Sequence, residues 1–207
     1  MPPAKYLGLR LIPYAAVTLG LLVFKSAWFS LLGYHLGLAF AFTLSARWRS
    51  FGAVRIVFHP LWAGIAWSAS LLAGFLLYWS WPGLGLPAHL PDALRQLGLT
   101  PQVWPIFMTY FVLVNPWFEE AFWRGWLSSA APAPIAEDFW FAGYHSIILG
   151  QYLGWNWLIL AIFILVGAAW LWRQIARQTN SLFIPVIAHL LADFSILLAI
   201  YLRTVNL

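Results

Sequence analysis

The sequence contains no cysteine in 207 residues. That excludes disulfides, thiolate metal sites, a cysteine nucleophile and S-acylation. Charge is the second scarcity. Asp, Glu, Lys and Arg make up 8% of the chain, where a soluble domain carries about a quarter. There are six acids against eleven Lys and Arg, a net charge of +5. The basic residues form no dense patch, so nucleic acid is not the expected partner. They lie scattered between apolar runs, as the anchoring loops of a membrane protein do. Internal repeats and low-complexity tails are also missing.

What remains is apolar: 63% of residues are hydrophobic and fifteen are tryptophan. No soluble core of this size needs so much apolar surface, so the expected fold class is all-α, a polytopic transmembrane helix bundle. A spanning helix takes about 20 apolar residues. Seven candidates follow, at roughly 10–25, 27–46, 61–81, 103–127, 139–153, 155–172 and 182–202. The first and fifth are short. Lys5 and Arg10 ahead of Leu11 to Phe24 read as a retained first helix rather than a cleaved leader. The Pro- and Gly-rich segment 82–102 reads as a surface loop with a short interfacial helix near Asp92 to Leu97. The segment 128–138 is a second break. The chain is taken as one membrane domain, with helices and loop over 1–102 and a second part over 103–202.

Orientation follows from Lys and Arg. With the N-terminus in the cytoplasm, Lys5, Arg10, Arg47, Arg49, Arg55, Arg173 and Arg177 fall inside and Lys25, Arg95 and Arg203 outside. Seven against three supports this arrangement. The expected location is a multi-pass position in a membrane, the bacterial inner membrane, with the lipid bilayer and a membrane-associated peptide or protein substrate as partners.

Seven ionisable residues sit within the apolar segments: His35, Glu119, Glu120, Arg124, His145, His189 and Asp193. Each costs several kcal/mol in hydrocarbon unless it is paired or hydrated, so each is a candidate for function. Glu120 and Arg124 are four apart, with the acid first, the favourable order for a helical ion pair. Glu119 points about 100° away around the helix and is left for another task. His145 follows Phe141 by four, and Asp193 follows His189 by four. Three converging helices would bring carboxylate, imidazole, imidazole and carboxylate into one pocket. A glutamate and a histidine can hold a water and take its proton. A histidine with a neighbouring hydrogen-bonding group can stabilise the oxyanion formed when that water attacks a carbonyl. This is equipment for peptide hydrolysis without a covalent intermediate.

Other polar residues have plainer readings. His35 is expected as an interhelical contact, His59 as a helix-start residue before Pro60, and His89 and Asp92 as loop residues. Glu137 and Asp138 read as N-caps of the following helix, and Phe141 as packing beside the pocket.

At the ionisable residues the sequence resembles a family. "EEAFWR" fits an E-E-x-x-x-R motif, "FAGYH" an F-x-x-x-H motif and "HLLAD" an H-x-x-x-[N/D] motif. They occur in the order found in the CAAX prenyl protease and bacteriocin-processing family (CPBP, or Abi) of intramembrane endopeptidases. The likeness covers roughly 103–202. It implies a helix bundle with a conical cavity open to the cytoplasm, and an intramembrane protease of the glutamic type. Glu119 and His145 would activate water, and His189 and Asp193 would form the oxyanion site, with Glu120 and Arg124 supporting. No cofactor is implied. The alternative is a zinc hydrolase with Glu119, His145 and His189 as three ligands and a water in the fourth place. A non-catalytic membrane scaffold or immunity protein is the other rival. Asp193 departs from the prenyl-processing members, which carry Asn there, and the loop between the first two motifs is short.

Overall fold

The structure is a computed structural model that describes residues 8–205. Lys5 lies outside them. The described residues are helical, with no strand. Helix α1 (Leu11–Val17) continues into a wide π-helical turn, Thr18–Val23. The others are α2 (Ala27–Leu44), α3 (Pro60–Ser80), the short α4 (Leu90–Gln96), α5 (Trp104–Glu120), α6 (Ala136–Leu149), α7 (Trp155–Thr179) and α8 (Phe183–Thr204). Helix α5 also runs on as a π-helical turn, Ala121–Trp126.

Ala27–Leu44, Pro60–Leu84, Trp155–Thr179 and Phe183–Thr204 are long and apolar enough to cross a membrane. The chain is an integral membrane protein. Helix α6, with 14 residues, rises only ~21 Å, less than the ~30 Å of hydrocarbon. The shortness expected of the fifth segment is therefore real, although it begins earlier than expected, at Ala136 rather than 139.

The helices other than α4 alternate in direction. At one end Leu182 N–H donates to the Ala53 carbonyl (3.0 Å), Arg55 to the Asn180 carbonyl (3.0 Å), and Arg10 pairs with Glu137. At the other, Ala27 N–H donates to the Leu97 carbonyl (2.9 Å) and Arg203 to the Tyr78 carbonyl (2.6 Å). Small residues allow the closest packing. The buried face of α3 is Ala63, Ala66, Ser70 and Gly74, and it lies against α8. A Cβ on Gly74 would come within 2.2 Å of the Ser195 backbone. With little hydrophobic drive between helices in lipid, such close approach supplies much of the association.

One basic residue does not sit where the sequence suggested. Helix α7 runs past 172 to Thr179, so Arg173 is a helical residue and is 1% exposed. Its guanidinium binds Asp138 (2.8 Å) and the carbonyls of Ala131 and Ala133. Glu137 and Asp138 are likewise more than caps. Asp138 does accept the Ile135 N–H (2.9 Å), as a capping residue should, but both acids are buried in ion pairs that tie α6 to α7 and to Arg10.

Candidate active site

The site is built on the last turn of α5, the middle of α6 and the first half of α8. Pro116 interrupts the hydrogen-bond pattern of α5, because it has no N–H to donate. Five residues later the helix widens into the π-helical turn that carries Arg124. Such turns recur at functional sites, since they re-aim neighbouring side chains. Glu119 and Glu120 lie just before the widening, 2% and 0% exposed.

Arg124 Nη1 donates to Glu120 Oε1 at 3.1 Å, the ion pair read from the spacing. The guanidinium lies 4.2 Å from the centroid of the Phe141 ring and 5.4 Å from that of Trp172. Phe141 is thus packing with an electrostatic contribution, since its ring face attracts the cation. Glu120 Oε1 has a second partner that the sequence did not suggest, His189 Nδ1 at 2.8 Å. The same imidazole turns Nε2 toward Glu119 Oε2 (3.9 Å) and Asp193 Oδ1 (3.6 Å). The adjacent glutamates point apart around the helix, and His189 spans them with its two nitrogens.

Glu119 is held differently. Tyr144 O–H donates to its Oε1 at 2.5 Å, while Oε2 is buried without a hydrogen-bond partner. Tyr144 is 3% exposed and stacks on Trp123, with centroids 6.3 Å apart and rings 6° from parallel. In the sequence Tyr144 carries no signal beyond a hydroxyl one residue before His145. His145 makes no hydrogen bond to Glu119. Its Nδ1 is 2.8 Å from the Phe141 carbonyl. A carbonyl only accepts, so the proton sits on Nδ1, and Nε2 of the neutral ring is left as an acceptor. Asp193, with its side chain 15% exposed, takes a bond on Oδ2 from Asn115 Nδ2 (3.4 Å).

The geometry therefore gathers Glu119, Glu120, Arg124, His189 and Asp193 into one buried network and brings His145 beside it through Tyr144 and Phe141, whose rings lie 4.1 and 4.8 Å from the His145 ring. His189 Nδ1 is bound to Glu120, which leaves Nε2 as the ring atom open to a further partner. Among the described residues no three His, Asp or Glu side chains are arranged to hold a metal ion. A cavity of about 380 Å³ reaches Arg124 from the end of the bundle that carries Arg173, Arg177 and Ser181. Glu119, His145 and Asp193 do not line it.

No curated protein and no solved structure matches the chain. A family model does: residues 101–195 match the family described as type II CAAX prenyl endopeptidase Rce1-like. The match takes in all three motifs and every side chain of the network just described. Over these residues, just under half of its length, the chain is similar to that family.

Proposed function

We propose that the protein is an intramembrane endopeptidase in which Glu119 activates the hydrolytic water. The observation that carries this reading is the state of Glu119. One oxygen is fixed by Tyr144, while the other is buried, bare and turned toward His189. An unpaired acceptor in such a place costs about 1–3 kcal/mol. A water at Oε2 would relieve that cost and place the nucleophile.

Glu119 Oε2 takes a proton from this water as its oxygen attacks the scissile carbonyl. His145 Nε2, free to accept, holds the second hydrogen. The oxyanion forms toward His189, which donates from Nε2 while Nδ1–H remains bound to Glu120. When the C–N bond breaks, Glu119 returns the proton to the leaving amine. Asp193 supports the oxyanion site, either as a protonated donor in the manner of Asn or as the ionised partner of His189. Arg124 and Glu120 hold His189 in place. No metal ion enters this scheme. Loss of activity on chelation, with recovery on added zinc, would overturn that part.

The family description points to a prenylated C-terminal CAAX sequence as substrate, and such a substrate is membrane-associated. The direct test is hydrolysis of a quenched fluorogenic farnesylated CAAX peptide by the purified full chain in detergent. Wild type should cleave it and Glu119→Gln should not. An undiminished rate in Glu119→Gln would remove Glu119 from the mechanism, whereas full biological function after the same change, without cleavage, would leave a scaffold reading. Peptidomics of membranes from cells carrying either form would reveal the native substrate.

For orientation we propose the N-terminus inside, in a bacterial inner membrane. The end bearing Arg47, Arg49, Arg55 and Arg177 then faces the cytoplasm. Ala46→Cys should resist impermeant thiol reagents applied to intact cells, and labelling from outside would reverse the orientation.

A further inference from the structure

We propose that His35 is a positioning residue for the site, acting through Asn115 on the carboxylate of Asp193. It lies on α2, outside the segment that matches the family. The proposal rests on the endopeptidase reading above.

The residues form a chain across three helices. Tyr110 O–H is 3.1 Å from His35 Nδ1, and His35 Nε2 is 3.2 Å from Asn115 Oδ1. Asn115 Nδ2 is 3.4 Å from Asp193 Oδ2, and Asp193 Oδ1 is 3.6 Å from His189 Nε2. The direction of each bond is fixed from the acidic end. A carboxylate oxygen accepts, so Asn115 presents its NH₂ to Asp193 and its carbonyl to His35. That carbonyl requires a proton on His35 Nε2. His35 Nδ1 is then an acceptor and takes the Tyr110 O–H.

The middle of this chain is rigid. His35 and Asn115 are 4% and 2% exposed. The imidazole stacks on Phe118, with centroids 4.9 Å apart and planes 19° from parallel. Asn115 stands four residues before Glu119, on the same face of α5. Rotating the amide to satisfy a different neighbour would turn its oxygen onto Asp193. His35 prevents this rotation, and Asp193 keeps Oδ1 toward His189. A general interhelical contact would need neither the direction of these bonds nor their end on a residue beside His189.

The experiment measures kcat and KM on the farnesylated CAAX peptide for His35→Leu, His35→Gln and Asn115→Ser, with thermal stability recorded in parallel. His35→Leu should lower kcat about tenfold to a hundredfold, the scale of a small misplacement at a reacting centre, with KM within about twofold. His35→Gln, which keeps a donor for Asn115, should recover most of the loss. In an Asp193→Ala background His35→Leu should cost almost nothing further, because the two act in series. If His35→Leu cannot be recovered folded, Asn115→Ser carries the same criteria. The proposal fails if kcat stays within twofold of wild type, if Gln rescues no better than Leu, or if the losses multiply in the Asp193→Ala background. Failure of the wild-type protein to cleave the peptide at all would instead bring down the endopeptidase reading itself.

Discussion

Two arginine–carboxylate pairs lie deep in this bundle, and they are built to opposite standards. Arg173 and Asp138 are close to saturated. The guanidinium donates from Nε, Nη1 and Nη2 to the carboxylate and to the carbonyls of Ser129, Ala131 and Ala133. Asp138 also caps α6. Arg124 and Glu120 share one 3.1 Å bond, and Arg124 Nη2, Glu120 Oε2 and the adjacent Glu119 Oε2 are all buried without partners. Desolvating an ion pair repays its cost only when the remaining lone pairs and protons are also satisfied. The first pair meets that condition and behaves as a structural clamp. The second leaves capacity open, which the proposed water and developing charge would take up. Satisfaction of the surroundings, rather than burial or charge, separates the two.

The sharpest way to break the comparison is at the two centres. Glu119→Gln should lower the rate by about 10²–10⁴, the contribution of a positioned general base. Its melting temperature should equal or exceed that of wild type, because a neutral amide replaces a bare buried oxygen while Tyr144 keeps its acceptor. Arg173→Ala should do the reverse. Removing one partner of a buried pair costs about 3–5 kcal/mol, here with three loop carbonyls also losing a donor. Little folded protein should be recovered, and what folds should retain kcat within about threefold. Thermal melts alongside turnover decide both. A destabilised Glu119→Gln would make that acid part of the framework, and the distinction would collapse.

Arg124→Ala lies between these extremes. Glu120 would lose its cation yet keep the His189 bond, so the expected loss of stability is smaller than for Arg173→Ala, about 2–3 kcal/mol. Turnover of the surviving protein should also fall, because His189 loses the firmness of its anchor. Equal destabilisation by Arg124→Ala and Arg173→Ala would mean that both pairs serve the fold in the same way.

Much of this was legible in one sequence, for reasons that differ from residue to residue. The helices announced themselves through apolar length. The Glu120–Arg124 pair followed from a spacing of four on one helix, a local geometry. His189 bridging the two glutamates did not follow, because that contact depends on how α8 meets α5. Arg173 was mistaken for an interfacial anchor because an arginine at the end of an apolar run has the same sequence signature whether it reaches water or folds back onto Asp138. Asn115 and Tyr144 were missed for a further reason. They carry no charge, so their presence in an apolar segment raised no question, although both end on the acids that did.

Tyr144 gives the finest test of the contrast, since Tyr144→Phe removes one oxygen from a packed aromatic position. Its ring contacts with Trp123 and His145 remain, so the cost in packing is small. The Glu119 carboxylate, however, loses the bond that fixes Oε1. A freed carboxylate can rotate, and the oxygen proposed to hold the water is then shared among several orientations. The expected result is a drop in kcat of about tenfold, with KM unchanged within twofold and stability altered by no more than about 1–2 kcal/mol, the worth of one hydrogen bond to a charged group. Stability should fall by less than in Arg124→Ala and activity by less than in Glu119→Gln. If turnover is untouched while the melting temperature drops as far as in Arg124→Ala, the Tyr144 bond belongs with the Arg173 clamp. The boundary between the saturated framework and the open site would then have to be redrawn to leave Tyr144 outside the latter.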